Sequence, residues 1–155
     1  MGARLRPLRA EDRPTIAELL AAFGAFSADE IAVALELIDE GECDDYRFQV
    51  AEAEGVVAGY ACYGPAASTD GSWDLYWIAV APDRRRRGIG RALLVAAEAA
   101  VAAGGGRTVV IETASKPSYE GTRRFYEENG YAQIARVPGF YAEDDDKLTY
   151  SKRLA

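Results

Sequence analysis

Histidine is absent from all 155 residues of this chain. That absence removes every serine–histidine and cysteine–histidine route to nucleophilic catalysis, along with the commonest metal ligand. Cysteine is nearly absent: Cys43 and Cys62 make no disulfide framework and have no metal-ligand spacing, so no metal site is expected. No apolar run approaches membrane-spanning length, and the opening residues do not read as a charged-then-apolar leader. The expectation is a cytoplasmic protein with no membrane partner. Positive charge is in deficit, with 18 Lys and Arg against 25 Asp and Glu and a formal net charge of -7. This argues against nucleic acid as a general partner and suits cationic ones better. Internal repeats and shifts of composition are missing too. Residues 1–155 are therefore expected to form a single domain, and the apolar share of 49% is ordinary for a globular core.

What the chain does contain is concentrated between Val80 and Leu94, which reads Val-Ala-Pro-Asp-Arg-Arg-Arg-Arg-Gly-Ile-Gly-Arg-Ala-Leu-Leu. A strand-forming run (Tyr76, Trp77, Ile78, Val80) stops at Pro82, which cannot donate to a sheet ladder. An arginine-rich turn leads to Gly88 and Gly90. Beyond it Ile89, Ala92, Leu93, Ala96, Ala97 and Ala100 recur at helical spacing. Strand, glycine turn and helix in that order make an anion site. The first N–H groups of the helix lack partners within it, and the helix dipole adds partial positive charge at the same end. Glycine permits close approach, and Arg84 to Arg87 and Arg91 add full charges. A P-loop is excluded because the lysine and hydroxyl after its last glycine are missing. The three-glycine dinucleotide loop is excluded because Leu93 stands at the third position. A plain basic turn is the bland alternative.

Elsewhere, Arg4 to Leu8 reads as a short strand. A helix is expected from Ala10 with Pro14 in its first turn, the stripe Ile16, Leu19, Leu20, Phe23, and a stop at Gly24. Ser27 and Glu30 form a capping box for a second helix that buries Ile31, Ala34, Leu35 and Ile38 and stops at Gly41. From Arg47 the period becomes two, with a turn at Glu54-Gly55, a return strand from Val56 to Tyr63, and a polar loop before the strand Trp73 to Val80. Gly104 to Gly106 reads as a flexible stop. Thr108 to Thr113 must then run parallel to Trp73–Val80 through a helical crossover. Tyr119 to Asn129 is a short helix closed by Gly130. Two last strands, Tyr131 to Val137 and Lys147 to Arg153, are expected on either side of an irregular acidic loop.

The segment Arg85 to Gly90, R-x-x-G-x-G after Val80-Ala-Pro, resembles the coenzyme A pyrophosphate loop of the GNAT acyltransferase superfamily. The element order resembles that α/β (α+β) fold along essentially the whole chain: a mixed, mostly antiparallel sheet of about six or seven strands with a splayed central parallel pair, and about four helices. The resemblance implies that main-chain groups of Ile78, Ala79 and Val80 hold the pantetheine arm of acetyl-CoA. It also implies that amides across Arg85, Arg86, Arg87, Gly88, Ile89, Gly90 and Arg91 hold the pyrophosphate. Many members have glycine where this chain has Arg86.

Phe125-Tyr126-Glu127-Glu128-Asn129-Gly130-Tyr131 resembles the family's F-Y-x-x-x-G-F/Y segment, whose tyrosine protonates the departing thiolate; a core aromatic is the alternative for Tyr126. The attacking amine must also lose a proton. A glutamate serves as base in the histone-acetyltransferase branch at the position of Asp74, which regular alternation would put on one face with Tyr76 and Ile78. Glu112 is the competitor, and a water chain remains open. Gly139-Phe140-Tyr141 and the acidic run after it partly resemble the end of protein N-terminal acetyltransferases. The implied function is transfer of acetyl from acetyl-CoA to a primary amine on a small molecule, a peptide N-terminus or a lysine. The alternatives are a non-catalytic acyl-CoA sensor or interaction module, and a mononucleotide-binding protein. A homodimer is compatible with the sequence and not required by it.

Overall fold

The computed structural model describes residues 2–24, 26–85 and 87–154. Strand β1 (Arg4–Arg6) leads to a 3₁₀ turn at Ala10–Asp12 and helix α1 (Arg13–Phe23). The α-helix thus begins three residues after the expected Ala10, with Pro14 in its first turn, where a missing N–H is harmless. It ends on Gly24 at φ 78°, a left-handed conformation suited to glycine. Helix α2 (Ala28–Glu40) carries the expected box: Glu30 N–H donates to Ser27 Oγ (3.1 Å) and Ser27 N–H to Glu30 Oε1 (2.9 Å).

Strands β2 (Arg47–Ala53), β3 (Val56–Pro65) and β4 (Ser72–Val80) form a meander. Helix α3 (Ile89–Ala103), β5 (Thr108–Ala114), α4 (Glu120–Glu128), β6 (Ala132–Ala142) and β7 (Asp145–Arg153) complete the order. One seven-stranded sheet results, β1-β2-β3-β4-β5-β7-β6. Among the described residues only β4 and β5 run parallel, and α3 is the crossover between them.

Apolar side chains pack on both faces of the sheet, with β6 exposed along its length. Leu93, Leu94, Ala97 and Val101 of α3 pack with Tyr126 on Trp73, Leu75, Val109 and Ile111. Ile16, Leu19 and Leu20 of α1 and Ala34 and Ile38 of α2 pack on Phe48, Val50, Tyr60 and Ala79 from the opposite side. Each large aliphatic side chain fully buried this way contributes about 1.5–3 kcal/mol.

Three expectations change. The acidic stretch after Val137 is no irregular loop: β6 and β7 form a long hairpin closed at Glu143–Asp144, with an irregular register between Val137 and Ala142. Asp146 tightens that stretch by accepting from Gly139 N–H (2.8 Å) and Arg136 Nε (2.6 Å). The glycine run after α3 is not merely flexible. A Cβ on Gly104 would lie 2.9 Å from the Trp73 ring, and one on Gly106 would lie 2.7 Å from it, so glycine is what lets Trp73 seat against the helix end. Third, β4 does not alternate regularly. Cys62 pairs with Trp77 but Tyr63 pairs with Leu75, leaving Tyr76 as an extra residue, a β-bulge. Past the bulge the faces exchange: Trp73, Leu75, Ile78 and Val80 turn toward α3, whereas Tyr76, Trp77 and Ala79 turn toward α1 and α2. Asp74 shares its face with Tyr76 but not with Ile78.

Candidate functional site

The parallel ladder between β4 and β5 is short. It runs through Ser72↔Thr108, Trp73↔Val109 and Asp74↔Val110 and stops. Beyond Asp74, strand β4 continues to pair only with β3, and beyond Val110, β5 pairs only with β7. The two strands have diverged, leaving the main-chain edge of Leu75–Val80 without a ladder toward β5. Backbone N–H and C=O groups are obligatory hydrogen-bonding groups, so such an edge is suited to an extended ligand with amides of its own. Ile78, Ala79 and Val80 occupy the last part of it, paired on the other side with Ala61, Tyr60 and Gly59.

Directly after this edge comes the glycine turn. A 3₁₀ turn at Pro82–Arg84 and extended Arg85 precede Gly88, which caps α3 at φ 77°. Only glycine adopts that conformation freely, and a Cβ there would meet nothing within 4 Å, so this approach to the helix N-terminus is open. At Gly90 the lack of a side chain serves packing: a Cβ on it would lie 3.3 Å from the Phe125 ring and 3.7 Å from Val80 Cγ2, so this glycine admits a side chain of α4. Ile89 is 3% exposed and can face a ligand only through its main chain. Arg84 Nη1 donates to Glu54 Oε1 (3.1 Å), Arg87 Nη1 lies 3.9 Å from the same oxygen, and Arg85 stacks over the Phe23 ring at 4.7 Å. Arg91 is exposed and has no ion-pair partner among the described residues. Arg86 lies outside the described residues.

A cavity of about 610 Å³ opens where the strands part. Asp74, Glu112 and Tyr126 all line it, so the three residues singled out for proton transfer come together. Asp74 is half-buried, and its carboxylate has no hydrogen bond or ion pair among the described residues. Burial, and then the negative charge of Glu112, raise its carboxyl above the ordinary value. Glu112 is exposed, 3.3 Å from Lys147 Nζ. Tyr126 is 4% exposed and stacks with Phe125 and Tyr131 at 5.6 and 5.9 Å between centroids. Burial, with a smaller contribution from Tyr119, pushes its phenol well up, so it stays protonated at neutral pH. It is therefore both core aromatic and cavity wall.

Other lining residues were not singled out in the sequence, apart from Tyr141 in the Gly139-Phe140-Tyr141 segment. Phe23 and Phe26 come from the end of α1 and the link to α2, Tyr76 from the bulge, and Tyr141 from the hairpin. Burial, then Asp74, raises the Tyr76 phenol to about 12. Thr113 is also there, 5% exposed. Its sequence signal is a hydroxyl on the phase of β5 otherwise filled by Val109 and Ile111.

These features agree with what the chain is similar to. The acetyltransferase (GNAT) domain family matches residues 44–133. A Desulfovibrio desulfuricans protein assigned to the GNAT family of acetyltransferases has 40% sequence identity over 99% of both chains, with a TM-score of 0.94. At lower identity, likeness extends to the fold. The ribosomal-protein-S18-alanine N-acetyltransferase of Escherichia coli is 20% identical over 99% of this chain and 94% of its own, with a TM-score of 0.80. The yncA protein of Salmonella typhimurium, solved with its cofactor acetyl-CoA, is 21% identical over 100% and 95%, with a TM-score of 0.79. No curated protein matches significantly. From the splayed parallel pair, the glycine-capped helix after it, and relatives spanning the whole length, the chain belongs to the GNAT family of acetyltransferases.

Proposed function

We propose that this protein is an acetyl-CoA-dependent N-acetyltransferase acting on a primary amine in a ternary complex. The observation that carries this is the convergence of Asp74, Glu112 and Tyr126 on one cavity in the β4–β5 gap. Residues fit the cosubstrate in two respects: the unladdered edge of Ile78–Val80 suits its amides, and the open N-terminus of α3 at Gly88 suits its phosphates. Bound acetyl-CoA supplies an activated acetyl group, which the amine takes directly with release of the thiol.

The chain's part is then proton management. A free amine of reference pKa about 10.4 is mostly protonated at neutral pH and cannot attack. Asp74, unpaired and raised above its ordinary value by burial and then by the charge of Glu112, receives that proton directly or through water. Tyr126 donates a hydrogen bond toward the sulfur as charge develops there and supplies the proton that leaves it as thiol, and the proton that the nitrogen sheds on becoming an amide passes through water to restore the phenol. Burial keeps its phenol protonated at neutral pH, so the hydroxyl has a hydrogen to donate. Glu30 and several rings on the α1–α2 side of the cavity favour a cationic acceptor over an anionic one.

The test has two arms. Melting temperature is measured with acetyl-CoA, CoA, ATP and NAD, since a ligand that binds only the native state raises it. Thiol release from acetyl-CoA is then followed across amines, peptide N-termini and lysine peptides. Stabilisation by acetyl-CoA and CoA alone, with amine-dependent thiol release, is expected. Stabilisation without release on any acceptor points instead to an acyl-CoA-binding sensor. Stabilisation by ATP alone rejects both.

A further inference from the structure

Thr113 Oγ1 is the one side-chain polar atom among the described residues that is both fully buried and without a hydrogen-bond partner. A buried hydroxyl left unsatisfied is unfavourable, and such groups are rare in native proteins. Its place in the fold indicates what satisfies it. The parallel ladder ends at Val110, so Thr113 lies on the stretch of β5 that faces the gap. It lines the cavity that opens there. Its antiparallel partner is Leu148, which packs with Val109, Ile111 and Tyr126 on the α3–α4 face. Thr113 therefore shares the face of Tyr126, whereas Asp74 and Glu112 lie on the opposite phase of their strands. Rotation about χ1 moves the hydroxyl among staggered wells while the backbone stays in place.

We propose that Thr113 is a cosubstrate-binding residue whose hydroxyl donates a hydrogen bond to a carbonyl oxygen at the acyl-pantetheine end of bound acyl-CoA. The proposal rests on the acetyl-CoA-binding function above. A ligand oxygen on this side of the gap pairs a group that the folded chain leaves unpaired, and it does so beside the phenol assigned to the sulfur. The acceptor amine, approaching from the side of Asp74, is not its partner.

The experiment compares wild type, Thr113→Val and Thr113→Ser. Valine keeps the shape and removes the hydroxyl, and serine keeps the hydroxyl. Dissociation constants for acetyl-CoA and CoA are measured by calorimetry, and melting temperature with and without each ligand. Valine is expected to melt no lower than wild type without ligand, because an unsatisfied group has gone. It should bind acetyl-CoA roughly threefold to tenfold more weakly, the range of one hydrogen bond, with a smaller ligand-induced shift in melting. Serine should restore binding. Loss with acetyl-CoA alone assigns the bond to the thioester carbonyl, and equal loss with CoA assigns it to a pantetheine amide. Either supports the proposal. Unchanged affinity in Thr113→Val overturns it, provided wild type binds acetyl-CoA. Failure of wild type to bind at all defeats the function proposed above instead.

Discussion

Tyr126 is the residue at which core packing and proposed chemistry coincide, and the two can be separated. Tyr126→Phe keeps the ring that stacks with Phe125 and Tyr131 and removes one hydroxyl. A general acid typically contributes about 10²–10⁴-fold, so kcat should fall within that range while acetyl-CoA affinity hardly changes. A fall below about threefold would return Tyr126 to a packing role. Asp74 gives a pH signature. Its carboxyl is raised by burial and then by Glu112, so a base at this position ionises above its ordinary value, and kcat/KM rises with pH as it does so. Glu112→Gln removes the negative neighbour and should move that limb to lower pH. Asp74→Asn should abolish it, leaving only the higher limb of the acceptor amine. An acid limb that persists unchanged in Asp74→Asn excludes Asp74 as the base.

Among elements, the turn into α3 and the turn out of it show two uses of glycine. At Gly88 the left-handed φ is required and the space beyond is open. Gly88→Asp should therefore fold, at a cost of about 1–2 kcal/mol for the backbone conformation, yet lose the melting shift with acetyl-CoA through its added negative charge. At Gly90 the space is filled by Phe125, so Gly90→Asp should lower the melting temperature before any ligand is added. Full acetyl-CoA binding by Gly88→Asp sinks the phosphate assignment. Leaving the helix, Gly106→Ala drives a methyl into Trp73 and Val101. Overpacking of this kind costs about 1–3 kcal/mol, and denaturant unfolding should register it with no change in slope.

The whole molecule is tied at its N-terminal edge by charge. Arg6 donates to both oxygens of Asp12 (2.9 and 2.7 Å) and to Glu52 (2.6 Å), joining β1 to the start of α1 and to β2. Arg6 and Asp12 are buried, 8% and 3% exposed. Removing one partner of a buried pair costs about 3–5 kcal/mol, so Asp12→Ala should lower Tm by roughly 10 °C. Arg6, with the Arg9 N–H, holds the Asp12 carboxyl below its ordinary value of 3.8. A group lowered on folding contributes stability that is present above its unfolded value and lost as pH falls through its folded one. Melting temperature should therefore decline below about pH 4, and the Asp12→Ala protein should show a weaker decline.

How much of this was legible in sequence depended on whether the signal was local. Ser27 and Glu30, three residues apart, name their own helix start, and Gly24, Glu54-Gly55 and Gly88 name turns, because caps and positive φ are properties of a few adjacent residues. The run from Val80 to Leu94 likewise spells strand, turn and helix. Periodicity alone separated the helices from the strands. Nothing local announces that Tyr76 is a bulge, since a bulge exists only against the partner strand that lacks the extra residue. Nor could spacing reveal that the β4–β5 ladder stops at Asp74, that Phe125 fills the place beside Gly90, or that Thr113 lacks a partner. The sequence by itself determined the elements, their order and the residue types able to carry acid–base chemistry, because these follow from short-range sterics and hydrogen bonding. Tertiary structure decided which of those residues share a cavity and which face each one meets, because divergence of two strands and the fit of side chains between layers are set by segments far apart in the chain.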